Sequence, residues 1–153
     1  PRHTFSVWFG ETNRTVDFCL KTHVLDGYTN YLITIDNFPK GIAYVDAAIA
    51  AKKCVKAADY LRLLYLYENG GIYLDADMEV RGSFDHLLNE MFFAGKEENG
   101  FIANSLIGSV KGYAPLKKCL DEMGSQFKGD DEFIFEAGMV QTLASMLNSA
   151  HSA

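Results

Sequence analysis

Asp75 and Asp77, separated only by Ala76, close the apolar run Ile72-Tyr73-Leu74. A strand that ends in two carboxylates invites a chemical explanation, because carboxylates are costly to bury without a partner. In extended geometry residues two apart point to one face, which sets the two side chains roughly 6.5 Å apart along the strand. The C-terminal end of a strand is also where open α/β sheets bind ligands. Oxygen-only donors suit Mg²⁺ or Mn²⁺, which take one or two carboxylates and complete their shell with water and substrate phosphates. The plain alternative is an Asp-rich surface turn, since the D-x-D tripeptide by itself is common. The apolar strand and the Gly70-Gly71 pair ahead of it weigh against that alternative.

Asp59 and Arg62 are three apart and therefore share one face of a helix. Two readings stand. The pair could be an ordinary surface ion pair worth about 0.3 kcal/mol. It could instead face the same cleft as Asp75, with Arg62 countering phosphate charge and Asp59 orienting a substrate hydroxyl.

The elements that must position these residues follow from local pattern. Phe5-Ser6-Val7-Trp8-Phe9 reads as a strand ended by Gly10, and Tyr31-Leu32-Ile33-Thr34-Ile35 as a second, closed by the turn residues Asp36 to Gly41. Between them, residues 15–22 are helix-like but mixed. Residues 46–69 are rich in helix formers, and from Ala57 on one face is apolar. Gly70-Gly71 supplies the helix stop. Ile72-Tyr73-Leu74 does not alternate with polar residues, which predicts a central strand buried on both faces. Further strands are expected at 91–94 and 101–103 around a polar turn at 96–100, with helices at 116–123 and 137–147. This alternation predicts a single α/β domain over residues 1–153.

Composition bounds the rest. With 153 residues, 48% hydrophobic and 13% aromatic, the chain is long enough to bury a core and is not of a disordered type. A formal net charge of −6 gives no reason to expect nucleic acid as partner. It also means that a polyanionic substrate would need local cations. No run approaches the roughly 20 apolar residues of a membrane span, and no secretory signal is visible after Pro1. Cys19, Cys54 and Cys119 are odd in number and widely spaced, which suggests buried, reduced thiols and a cytoplasmic setting, with the inner face of the membrane as a variant of it.

Three segments in order resemble one family. They are Val7-Trp8-Phe9-Gly10, Ala58-Asp59-Tyr60-Leu61-Arg62, and the run from Leu66-Tyr67 through Gly70-Gly71-Ile72-Tyr73-Leu74 to Asp75-Ala76-Asp77. The combination is similar to the DXD sugar transferases, which include capsular-polysaccharide transferases, fungal initiating mannosyltransferases and the catalytic domains of large glucosylating toxins. The resemblance spans Val7 to about Gly112, including Phe101-Ile102-Ala103-Asn104, which looks like the segment beneath the sugar. It implies a glycosyltransferase A-like (Rossmann-like) fold with a mixed, mostly parallel sheet. The domain would be short or truncated at its acceptor-binding C-terminal part.

The implied activity is metal-dependent transfer from a nucleotide sugar, UDP-sugar favoured and GDP-sugar the alternative, to a glycan or other hydroxyl acceptor with retention of configuration. Trp8 would stack on the base, Asp75 would contact the ribose and the water shell of Mn²⁺ or Mg²⁺, and Asp77 would bind the metal directly. Asp59 and Arg62 would complete the catalytic set, and Gly70, Gly71, Tyr73 and Asn104 would belong to the donor site. Glu136-Ala137-Gly138 loosely matches a later turn of the family, and His151 is either a late metal ligand or a tail residue. Two rivals are carried: a non-catalytic nucleotide-sugar or metal-binding module, and a phosphatase of the haloacid dehalogenase type. The latter fits poorly because Met78-Glu79 follows the second Asp.

Overall fold

The computed structural model describes residues 2–96 and 102–126, with the backbone alone given for residues 96, 102, 104, 125 and 126. The expected helix at 137–147, the segment Glu136-Ala137-Gly138 and His151 lie outside the described residues, as do residues 97–101 of the polar turn and the strand after it.

Among the described residues five strands form one mixed sheet, in spatial order β2-β1-β3-β5-β4. They are β1 (His3–Val7), β2 (Thr29–Ile33), β3 (Gly71–Leu74), β4 (Phe92–Lys96) and β5 (Ile102–Ser109). β1 pairs in parallel with β2 and β3, while β5 runs antiparallel to β3 and β4. The sheet is thus mixed as expected, with its pairings divided evenly rather than mostly parallel. The parallel part comes first because helices separate β1, β2 and β3 in the sequence, as crossover connections require. β4 and β5 lie close in sequence and pair antiparallel, as a short connection allows.

β3 is central and all four of its residues are buried. Its two faces do different things. Tyr73 joins Phe5 and Val7 of β1 in the main core, beneath α3 (Cys54–Asn69). Thr4 and Ser6, which alternate with those residues along β1, are turned instead to His23. α3 crosses β1, β3 and β5 and packs between α2 (Ala43–Ala50) and α4 (Ala114–Gln126).

Local chemistry explains where elements begin and stop. α1 (Arg14–Thr22) forms because Asn13 caps it, its side chain accepting from the Val16 amide at 2.9 Å. Its hydrophobic pattern reads as mixed because only Val16 and Cys19 are buried, whereas Phe18 is exposed. β2 lies two residues earlier than the apolar run suggests, because Thr34 leaves the ladder to form a turn. The Thr34 amide donates to the Asn37 side chain at 2.6 Å, and the Asn37 and Phe38 amides donate back to the Thr34 carbonyl.

The helix-forming stretch at 46–69 is two helices. The break is a helix-ending turn in which the Lys52 amide donates to Ile49 O at 3.0 Å and the Lys53 amide to Ala48 O at 2.8 Å. Lys52 holds the left-handed position at φ 59°, where glycine is the usual occupant, so the sequence carries no mark of the stop.

Gly70 and Gly71, expected at the donor, are at the other end of β3 from Asp75. Gly70 caps α3, its amide bonded to Leu66 O at 2.7 Å, and its carbonyl accepts from His3 Nε2 at 2.7 Å. Gly71 sits at φ 107° with β1 so close that a Cβ would stand 2.9 Å from the His3 carbonyl oxygen and 2.4 Å from the His3 ring. Backbone conformation and close packing against β1 account for both glycines. Gly71→Ala should therefore cost about 3 kcal/mol of stability. Chemical denaturation of the two proteins checks this, and the native fraction should keep wild-type ligand binding.

Candidate active site

The carboxyl ends of β1 and β3 open into a cavity of about 340 Å³, within the range of small-molecule sites at ~300–1,000 Å³. Trp8, Arg62, Tyr73, Asp75 and Asp77 all line it, with Cys54, Val55 and Ala58 from the start of α3. A second cavity of about 540 Å³ shares Trp8 and Asp77 and continues along Asn13, Arg14 and Thr15.

Arg62 is the centre of the arrangement. It is 6% exposed, and Asp59 beside it is 5% exposed, so the surface-pair reading is excluded. Its Nη1 lies 3.4 Å from Asp59 Oδ1, one turn back on the same helix. Its Nη2 donates to the Tyr73 hydroxyl at 2.9 Å and approaches Asp75 Oδ1 at 3.5 Å. The guanidinium carbon stands 4.2 Å from the centroid of the Tyr73 ring, a cation–π contact. The Tyr73 hydroxyl in turn donates to Asp75 Oδ1 at 2.8 Å. Burial pushes the Tyr73 phenol far above its ordinary 10.0, so it remains a donor at neutral pH.

Burial also raises the Asp75 carboxyl above its ordinary 3.8, partly offset by Arg62 and the Tyr73 hydrogen bond and reinforced by Asp77. Asp59 does not line the cavity. Its carboxylate pairs with the Arg62 guanidinium at 3.4 Å.

The two Asp residues are not in the extended geometry expected of them. The Met78 amide donates to the Asp75 carbonyl at 3.0 Å, which closes a turn over Asp75 to Met78. Asp75 is half-buried, Ala76 buried and Asp77 exposed. Among the described residues no group of three or more His, Cys, Asp or Glu could hold a metal. At this turn the described residues therefore offer two hard carboxylates and no closed cage. That donor set fits Mg²⁺ or Mn²⁺ shared with substrate phosphates. Asp75 Oδ1 is already engaged by Tyr73 and Arg62, which leaves its other oxygen and the whole of Asp77 for a ligand.

Trp8 is half-buried at the mouth and outside the core cluster. Its indole N–H donates to Glu11 O at 3.1 Å, so that donor is already engaged. Asn104 lies on β5, but its side chain is outside the described residues.

Two features escape the sequence reading. Cys54 reads as a buried thiol but is half-buried in the cavity wall, whereas Cys119 is buried, which raises its thiol to about 11. His23 is 0% exposed and links Ser6 to Met78: Nδ1 is 3.2 Å from Ser6 Oγ and Nε2 2.6 Å from Met78 O. A lone histidine after an uncertain helix gave no signal.

The sheet order, crossing helices and carboxylates at the end of a central strand define a glycosyltransferase A-like α/β fold. The solved structure of PaToxG Glycosyltransferase is similar, with TM-score 0.72 and 19% identity over 99% of this chain and 74% of that one. The family model for the glycosyltransferase sugar-binding region containing DXD motif matches residues 11–94, and the chain belongs to that family. Inositol phosphoceramide mannosyltransferase 3 of Schizosaccharomyces pombe is 25% identical over 113 residues, covering 74% of this chain and 26% of that protein. The chain thus spans about a quarter of the length of this curated relative.

Burial holds the His23 pKa below its ordinary 6.5, although the bond to Met78 works the other way. The unfolded chain therefore binds a proton as pH falls through 6.5 while the native chain does not. Stability contributed by this residue is complete above 6.5 and is lost as pH falls from there towards the lowered folded value. Denaturation midpoints across mildly acid pH should fall less steeply in His23→Gln than in the wild type.

Proposed function

We propose that this domain transfers a sugar from a nucleotide-sugar donor to a hydroxyl of a glycan or other acceptor, in the setting of polysaccharide synthesis. UDP-sugars are the favoured donors and GDP-sugars the alternative. One observation carries the reading: Arg62, Asp75, Asp77 and Trp8 line one cavity at the carboxyl end of a central strand. Family membership supports the reaction class, and sets aside the phosphatase alternative.

In this reading Trp8 stacks on the base, a contact worth about 1–3 kcal/mol. Asp77 and the remaining oxygen of Asp75 hold Mn²⁺ or Mg²⁺. The ion, when bound, acts as a Lewis acid on the leaving diphosphate. Arg62 adds fixed positive charge at the same place, and Asp59 and Tyr73 keep its fork oriented. The bond from the anomeric carbon to the diphosphate oxygen breaks, one to the acceptor oxygen forms, and the acceptor's hydroxyl proton passes to the departing diphosphate. The family resemblance supports retention. Three free cysteines fit a reducing, cytoplasmic compartment. Among the described residues no helix is long and apolar enough to cross a membrane.

Turnover of UDP- and GDP-sugars with and without Mn²⁺ tests the proposal directly. Asp77 is exposed, so Asp77→Asn should abolish transfer and Mn²⁺-dependent stabilisation by UDP while leaving Tm in buffer unchanged. Metal-independent turnover with an active Asp77→Asn variant would contradict it.

Arg62 needs a gentler change, because removing its side chain breaks a buried ion pair with Asp59, at a cost of about 3–5 kcal/mol. Arg62→Lys keeps the charge and loses the planar fork. Its kcat/KM should fall by about 100-fold in a protein that still melts cooperatively.

A further inference from the structure

Among the described residues the Asp77 side chain makes no hydrogen bond or ion pair. Its position is therefore that of its backbone, the turn from Asp75 to Met78. Three side chains from β1 and the end of α1 fix that turn from outside. Ahead of it, Ser6 Oγ donates to the Leu74 carbonyl at 2.6 Å. Immediately after Asp77, His23 Nε2 donates to the Met78 carbonyl at 2.6 Å. Two residues further on, the Val80 amide donates to Thr22 Oγ1 at 2.9 Å.

The proton inventory of this set is constrained. A carbonyl only accepts, so the Met78 bond requires the hydrogen on His23 Nε2. Ser6 must likewise direct its hydroxyl hydrogen towards Leu74 O, and His23 Nδ1 lies beside the same Oγ at 3.2 Å. The imidazole is fully buried with both nitrogens facing these groups, which rules it out as a proton carrier for the cavity. Neither it nor Ser6 forms a nucleophilic dyad open to substrate. A residue needed only to fill this volume would be apolar, since burying an imidazole costs desolvation. What the imidazole adds is a rigid donor reaching from α1 to the residue after Asp77.

We propose that His23, assisted by Thr22, is a positioning residue for the cation-binding turn: it fixes Met78 and thereby presents the Asp77 carboxylate to the metal. The proposal rests on the reading of Asp77 as a metal ligand.

The test is direct Mn²⁺ binding by the full chain in the presence of UDP, read from loss of the free-ion electron paramagnetic resonance signal. His23→Leu removes the donor at similar volume. His23→Gln retains an amide N–H near the Nε2 position, and Thr22→Val removes the acceptor of the Val80 amide with its shape kept. Mn²⁺ affinity should fall by about tenfold or more in His23→Leu, as when a partner that orients a ligand is lost. His23→Gln should recover most of the loss, and Thr22→Val should lie between them.

Asp77→Asn serves as the reference. If it binds Mn²⁺ like the wild type, the metal reading itself fails and takes this proposal with it. If Asp77→Asn loses the ion while a folded His23→Leu keeps wild-type affinity, only the positioning role is overturned. Should His23→Leu not fold, Thr22→Val decides: wild-type affinity in that variant overturns the proposal, and weakened affinity supports it.

Discussion

A guanidinium cannot shed its proton to escape a buried position, so Arg62, at 6% exposure, commits its surroundings to neutralising it. Asp59 supplies charge from the preceding helical turn, Tyr73 supplies a ring face and a hydroxyl from the strand below, and Asp75 supplies charge from the strand's end. The same contacts join α3 to β3, the two elements at the middle of the fold. Core and site are therefore not separable here. Tyr73 packs against Phe5 in the core, with ring centroids 5.3 Å apart, while its hydroxyl orients Asp75 at the cavity. A change that loosens the core at Tyr73 also releases Asp75.

Much of this was legible in the sequence because it is local or follows from period. The unalternating run Ile72-Tyr73-Leu74 predicted a strand buried on both faces, and two carboxylates after it predicted a site at that strand's end. The three-residue spacing of Asp59 and Arg62 put them on one helical face, and the structure keeps them together. Spacing does not state depth, however, so whether Arg62 lay on the surface or in a cleft stayed open. Asp59 proved to sit behind Arg62 rather than on the cavity wall.

What the sequence left hidden is set by partners distant along the chain or by unmarked backbone. Asp75-Ala76-Asp77 bends into a turn whose anchors, Ser6, Thr22 and His23, lie more than 50 residues away. Gly70-Gly71 resembles a ligand loop by motif, yet it answers to His3 packed against it. The break between α2 and α3 falls on Lys52 in a glycine-like conformation, which no composition rule flags. β2 ends where Asn37 captures Thr34, two residues before its β-branched run stops.

The electrostatics of the cavity bear on the question raised by the chain's net charge of −6. A polyanionic donor would need cations near its diphosphate, and among the described residues lining this cavity Arg62 is the one cationic side chain. That guanidinium is already shared between Asp59 and Asp75, and Asp77 stands beside them. Three carboxylates around one guanidinium leave this cavity with an excess of negative charge, and Arg14 lines the adjoining cavity that shares Trp8 and Asp77. The same excess of negative charge favours a hard divalent cation, and such an ion reverses the local field seen by the phosphates. Arg62 alone therefore gives an incomplete account of how this cavity could hold a nucleotide sugar. On the reading proposed for Asp75 and Asp77, a cation held at the acidic turn would supply the positive charge that Arg62 alone does not.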